Sequence, residues 1–180
     1  MTGVQTCALP ISTAPLVKEC LARIAEGRKA AVKGRDIGDN IISMLDDISD
    51  PCSITELGPK VQDYLDKKLT SLRACGRDVE AENVQDRVDT LKALMEGCSN
   101  TQDIINRIDS IFKDDSAGIM YATVHRSKGL ETDRVWLLRP DLLPHPSAKL
   151  DWQKVQEQNL KYVAITRAKK EFYYVGDVLQ

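Results

Sequence analysis

No apolar run in these 180 residues approaches the roughly eighteen needed to cross a bilayer as a helix, so no membrane role is expected. Cysteine is scarce and scattered. Cys7, Cys20, Cys52, Cys75 and Cys98 are odd in number and include no C-x-x-C, which argues against a disulfide framework or a zinc site and fits a reducing cytoplasm. No G-x-x-x-x-G-K-[ST] occurs, so a phosphate-cradling P-loop lysine is absent. Nor does an apolar strand run into an acidic residue in the manner of a magnesium-holding carboxylate. The pair Asp46-Asp47 falls within a helical pattern and reads as a solvated face. Internal repeats and low-complexity tracts are lacking too.

What is present is an ordinary globular composition, 42% hydrophobic and 29% charged. The length suits one α/β domain, or a small domain with an insertion. The net charge of −2 is unevenly spread. From residue 117 onward ten Lys/Arg face seven Asp/Glu, giving +3 there and therefore −5 for the remainder. That imbalance is compatible with a local phosphate-binding face.

The organising stretch is residues 118–138, GIMYATVHRSKGLETDRVWLL. An apolar run of strand length, residues 119–124, ends at a polar loop, His125-Arg126-Ser127-Lys128-Gly129. A second β-rich run, residues 134–138, follows. A strand feeding a glycine-bearing polar loop is how α/β folds place chemistry at the carboxyl ends of their strands. The loop offers two cations, the hydroxyls of Thr123 and Ser127, an imidazole, and a glycine that lets backbone N–H groups approach a polyanion.

These residues resemble a known family. T-V-H-R-S-K-G-L-E is similar to motif V of the superfamily 1 UvrD/Rep-like helicases. Residues 156–170, QEQNLKYVAITRAKK, resemble their motif VI, in the right order and about thirty residues on. Asn159 and Glu157 depart from the E-E-R-R often found before L-x-Y, so contacts made by those arginines are not carried over.

In chain order, the first twelve residues, MTGVQTCALPIS, lack the basic and apolar segments of a signal peptide. They are similar to a translated sequencing adapter and read as a non-native leader, set apart from the fold, so that the chain is expected to be the tail of a longer protein. Leu16, Val17, Cys20, Leu21 and Ile24 then share a helical face, with Pro15 in the first turn and Gly27 as a stop. Residues 29–33 are a strand candidate. GRDIG, residues 34–38, opens a helix bearing Ile41, Met44, Leu45 and Ile48, and resembles the region after motif IV in the same family. Pro51 closes that unit.

Over residues 53–113 three amphipathic stripes succeed one another, with Ser53 and Glu56 spaced as a capping box. An all-helical insertion of three or four helices is expected. Residues 140–146 form a proline-rich surface loop containing His145. The pattern then predicts a helix from Asp151 with Trp152, Val155, Asn159, Leu160 and Val163 inward, and a closing strand over residues 171–175. Trp136 and Trp152 read as core, and for Tyr162 a core position is favoured over one near a nucleotide.

The resemblance implies a RecA-like, P-loop-NTPase-type parallel sheet, incomplete at its N-terminal edge, with a small helical insertion. Residues 13–50 and 114–180 would form this second motor domain and residues 51–113 the insertion. By position alone Arg167 is an ordinary cation at a helix C-terminus. The resemblance makes it the arginine finger for the ATP γ-phosphate, a task for which a planar guanidinium is better suited than lysine. It likewise makes Glu131 the acceptor for the ribose hydroxyl and brings Gly129 close to the triphosphate. Thr123 and His125 would contact single-stranded DNA, with Arg126 and Lys128 adding salt-sensitive phosphate contacts.

The chain would thus be the C-terminal motor half of an ATP-dependent 3′→5′ DNA translocase or helicase. Magnesium ligands and the P-loop would belong to an N-terminal motor domain outside this chain, so the chain alone would be inactive. No metal site of its own is expected. Three other readings stay open: a fragment of a helicase–nuclease subunit of the AddA/RecB type, a non-catalytic DNA-binding or clamp-loader-like module of the same fold, or a structural adaptor acting through the helical insertion.

Overall fold

The computed structural model describes residues 6–9, 13–113, 118–142, 148 and 150–176, with backbone alone for 6–9 and 142. The chain divides into two compact units: Met1–Gly34 with Lys113–Gln180, and Arg35–Phe112.

The first unit is built on a parallel sheet. Its strands are β1 (Thr6–Leu9), β2 (Ala30–Val32), β3 (Ile119–Tyr121), β4 (Thr132–Leu138) and β5 (Ala168–Val175), in the order β2-β3-β1-β4-β5. This is the α/β class expected, with crossovers in place of hairpins. One placement differs from the reading of the sequence. Thr6–Leu9, set apart there with the first twelve residues, lies in the middle of the sheet, paired with β3 on one side and β4 on the other. Strand pairing is a main-chain interaction, so a short run with no proline inside it satisfies both neighbours whatever pattern its side chains spell.

Helix α1 (Thr13–Ala25) buries Leu16, Val17 and Cys20 of the face its spacing predicts, while Leu21 is half-buried and Ile24, expected inward, is exposed. Burial without a charged partner pushes the Cys20 thiol up to about 12. Gly27, at φ 78°, turns the chain out of the helix toward β2.

Helix α6 (Asp151–Ile165) covers β4 and β5 differently from the expected stripe. Leu160 and Val163 pack with Ala164 against Ala122, Val124, Val135 and Leu137. Trp152, expected inward, is 63% exposed, and Tyr162, expected in the core, is 69% exposed; Val155 and Asn159 also face outward. The positions turned from solvent are 153, 157, 160, 163 and 164, a stripe of mixed polarity that keeps Leu160 and Val163 of the expected face. Hydrophobicity alone therefore found only part of the stripe. Trp136 is half-buried and stacks on Tyr173 across β4 and β5, ring centroids 5.3 Å apart. Of the proline-rich loop, residues 143–147 with His145 lie outside the described residues.

The second unit holds α2 (Arg35–Ile48), α3 (Ile54–Ala74), α4 (Asp78–Met95) and α5 (Thr101–Ile111). The sequence pattern separates the units at residue 50, whereas α2 packs with the helical unit. Its buried apolar residues include Ile41, Leu45, Leu57, Val61, Val88, Leu91, Leu94, Ile104, Ile108, Ile111 and Phe112. A Cβ on Gly38 would lie 2.8 Å from Ile108 Cγ2, so α2 and α5 approach closely at that point. Ser53–Glu56 makes the expected capping box on α3 and Asn100–Asp103 makes a second on α5. The two caps are joined by an antiparallel bridge between Ser53 and Asn100. Asp46 and Asp47 are exposed, as a solvated face requires.

Candidate nucleotide and nucleic-acid site

Beyond β3 the chain is pinned by two apolar side chains, Ala122 and Val124, both buried against β4 and α6. Thr123, between them, is half-buried. Its carbonyl accepts from the N–H groups of Arg126 and Ser127, both at 3.0 Å, and its Oγ1 accepts from Arg126 N at 3.4 Å. These bonds close a 3₁₀ turn over His125–Ser127. Ser127 is completely buried and its Oγ donates to the Val124 carbonyl at 2.7 Å. Its hydroxyl is thus spent on the turn and does not face the polyanion side of the loop, as the sequence pattern led one to expect. His125 and Lys128 are exposed and Arg126 is half-exposed.

The loop then crosses the height of the sheet. β3 and β4 are both parallel to β1, which lies between them. The chain leaves the carboxyl end of β3 and must return to the amino end of β4. Tyr121 is level with Trp136, and β4 begins at Thr132, so the descent is four strand residues, about 13 Å. Thr123 and His125 therefore lie by the carboxyl rim of β3, whereas Gly129, Leu130 and Glu131 lead into the amino rim. The sequence pattern had all of them at a carboxyl rim; parallel pairing without a helical crossover forces the split.

Gly129 has φ 84°, the left-handed region, and a Cβ added there would meet nothing within 4 Å. Leu130 N donates to the Ser127 carbonyl at 2.9 Å, which fixes the loop's exit. At the same rim α6 ends and β5 begins, with Arg167 between them. Its main chain receives a bond from Thr132 N at 3.1 Å and donates one to Ala164 O at 3.1 Å. Its guanidinium donates from Nε to Val163 O (3.1 Å), from Nη1 to Leu130 O (3.3 Å) and from Nη2 to Thr166 Oγ1 (3.0 Å). Arg167 is half-exposed. Loop residues 129–131 and the guanidinium are thus brought together by a direct hydrogen bond.

Ion pairs join the starts of β4 and β5. Glu131 lies 3.7 Å from Lys169 Nζ, Asp133 accepts from Lys170 at 2.8 Å, and Arg134 pairs with Glu171. The Lys170 hydrogen bond holds the Asp133 carboxyl below its ordinary value. Glu131 is exposed. Among the described residues no group of three or more His, Cys, Asp or Glu is arranged to hold a metal ion. No described helix is long and apolar enough to cross a membrane.

A parallel α/β sheet with a basic strand-following loop and a half-exposed arginine at a helix–strand junction is consistent with the RecA-like class of fold. The comparison with protein families makes that specific. The model of the UvrD-like helicase C-terminal domain matches residues 18–175, and the chain belongs to that family. No curated protein matches it.

Proposed function

We propose that this chain is the C-terminal motor half of an ATP-dependent DNA helicase that moves 3′→5′ on single-stranded DNA. Arg167 is the catalytic residue. Its guanidinium stabilises charge developing on the γ-phosphate, an electrostatic role in which a planar, permanently charged group outperforms an ammonium. Glu131 accepts the ribose hydroxyl, and Gly129 brings its backbone close to the polyphosphate. Thr123, His125, Arg126 and Lys128 contact the DNA backbone, giving salt-dependent affinity. ATP arrives with magnesium, whose ligands and P-loop belong to a companion N-terminal motor domain.

The observation that carries this reading is the Arg167–Leu130 hydrogen bond, which ties the motif VI arginine to the motif V loop beside an unobstructed glycine. The same loop continues to the carboxyl rim of β3, so nucleotide and DNA contacts are ends of one short segment. A change in one end has a covalent route to the other.

The chain alone should hydrolyse no ATP, because it has neither a P-loop lysine nor a magnesium carboxylate. Phosphate release by the purified chain that disappears in Arg167→Ala would refute the division of labour between two motor halves. Absence of turnover in both proteins is the expected result.

A further inference from the structure

Arginine presents five N–H donors and no acceptor, and a long side chain loses considerable freedom when it is fixed. At Arg167 three of the five are committed, one on each nitrogen, to Val163 O, Leu130 O and Thr166 Oγ1. The Thr166 hydroxyl is itself oriented. It donates its proton to the Val163 carbonyl at 2.8 Å, which turns its lone pairs toward the Arg167 Nη2 group. Thr166 is the residue that ends α6, with φ −70° and ψ −4°, so its backbone is held by the helix. Among the described residues, one N–H on Nη1 and one on Nη2 then remain for a ligand.

We infer that Thr166 is a positioning residue for Arg167: its hydroxyl, with the Val163 and Leu130 carbonyls, fixes the guanidinium so that two N–H groups stand ready for a terminal phosphate. This rests on the nucleotide-site reading above and adds a residue and a mechanism to it. A bidentate grip on phosphate needs two parallel N–H bonds in fixed geometry. Three protein anchors supply that geometry before the ligand arrives, which lowers the ordering cost of binding. Of the anchors, only Thr166 is a side chain and can be removed without disturbing the backbone. The Leu130 bond adds a link to the loop, so a shift of residues 129–131 would tilt the guanidinium.

The test compares the 180-residue chain with Thr166→Val, which keeps the shape and loses the hydroxyl, and Thr166→Ser, which restores it. Two readouts are taken: solvent exchange of the Arg167 side-chain N–H protons by NMR, and the affinity for ATP followed on the same signals. Thr166→Val should accelerate the exchange and weaken ATP binding about tenfold, the weight of one hydrogen bond to a charged group. Thr166→Ser should match the wild type within about twofold on both, since the hydroxyl bond returns. Unchanged exchange and affinity in Thr166→Val, with ATP still moving the Arg167 signals, would overturn the positioning role and leave the nucleotide site standing. Arg167 signals indifferent to ATP in the wild type would overturn both. An amide spectrum unaltered away from residues 160–170 shows that the variants are folded, and Thr166→Ala, which also lacks the hydroxyl and should show the same faster exchange and weaker binding, stands as a second probe should Thr166→Val not fold.

Discussion

A single methyl group distinguishes the two glycines that flank β3 and its loop. At Gly118, φ 147°, a Cβ would lie 2.3 Å from the Lys29 carbonyl oxygen, a backbone atom that cannot step aside. At Gly129, φ 84°, it would meet nothing within 4 Å. Gly118→Ala should therefore lower unfolding stability by about 2–4 kcal/mol, through steric overlap and backbone strain together. Gly129→Ala should cost about 1 kcal/mol, the strain of the left-handed conformation alone. Denaturant titration measures both, and equal losses would contradict the packing described. The residue scale is also where sequence patterns say least. Ser127 looked like a ligand hydroxyl because its neighbours are polar, yet it is buried and bonded to Val124 O. Thr166 carried no signal at all, since its contribution depends on the direction of one hydroxyl proton.

Elements were legible wherever a single face is buried. α2, α3, α4 and α5 announce themselves through apolar spacing of three and four residues, and the Ser53–Glu56 box marks the start of α3. The Asn100–Asp103 box obeys the same chemistry with other residue types. Asn100→Ala should cost about 1 kcal/mol of stability through loss of the α5 cap. Thermal unfolding of the chain measures it, and a loss no larger than that of an exposed mid-helix substitution such as Gln102→Ala would show the cap to be idle. α6 was legible as a helix and only partly in its orientation. Leu160 and Val163 pack inward as their spacing predicts, but the half-buried Gln153 and Glu157 share that stripe while the apolar Trp152, Val155 and Tyr162 face outward. The 3₁₀ turn after β3 was hidden for another reason: three residues held by the Thr123 carbonyl leave no periodic trace. Arg107, which donates to the Leu94 and Glu96 carbonyls at the carboxyl end of α4, needs partners eleven and thirteen residues away and could not be read from spacing.

For the whole molecule, the sequence conveyed the class and the family before any coordinates, because motifs V and VI carry both in order. It did not convey the path between them. A parallel sheet with β1 between β3 and β4 sends the loop after β3 down the sheet, and this separates Thr123 and His125 from the residues beside Arg167. Strand order is set by pairings distant in sequence, to which local patterns are blind. The central claim is that residues 129–131 and Arg167 form one nucleotide subsite. Its most direct test is calorimetric titration of the chain with magnesium-free ATP, in the wild type and in Arg167→Ala. The account predicts weak binding that falls at least about tenfold in the variant, as expected for loss of charge-assisted hydrogen bonds to phosphate. Equal affinity in the two proteins would contradict it.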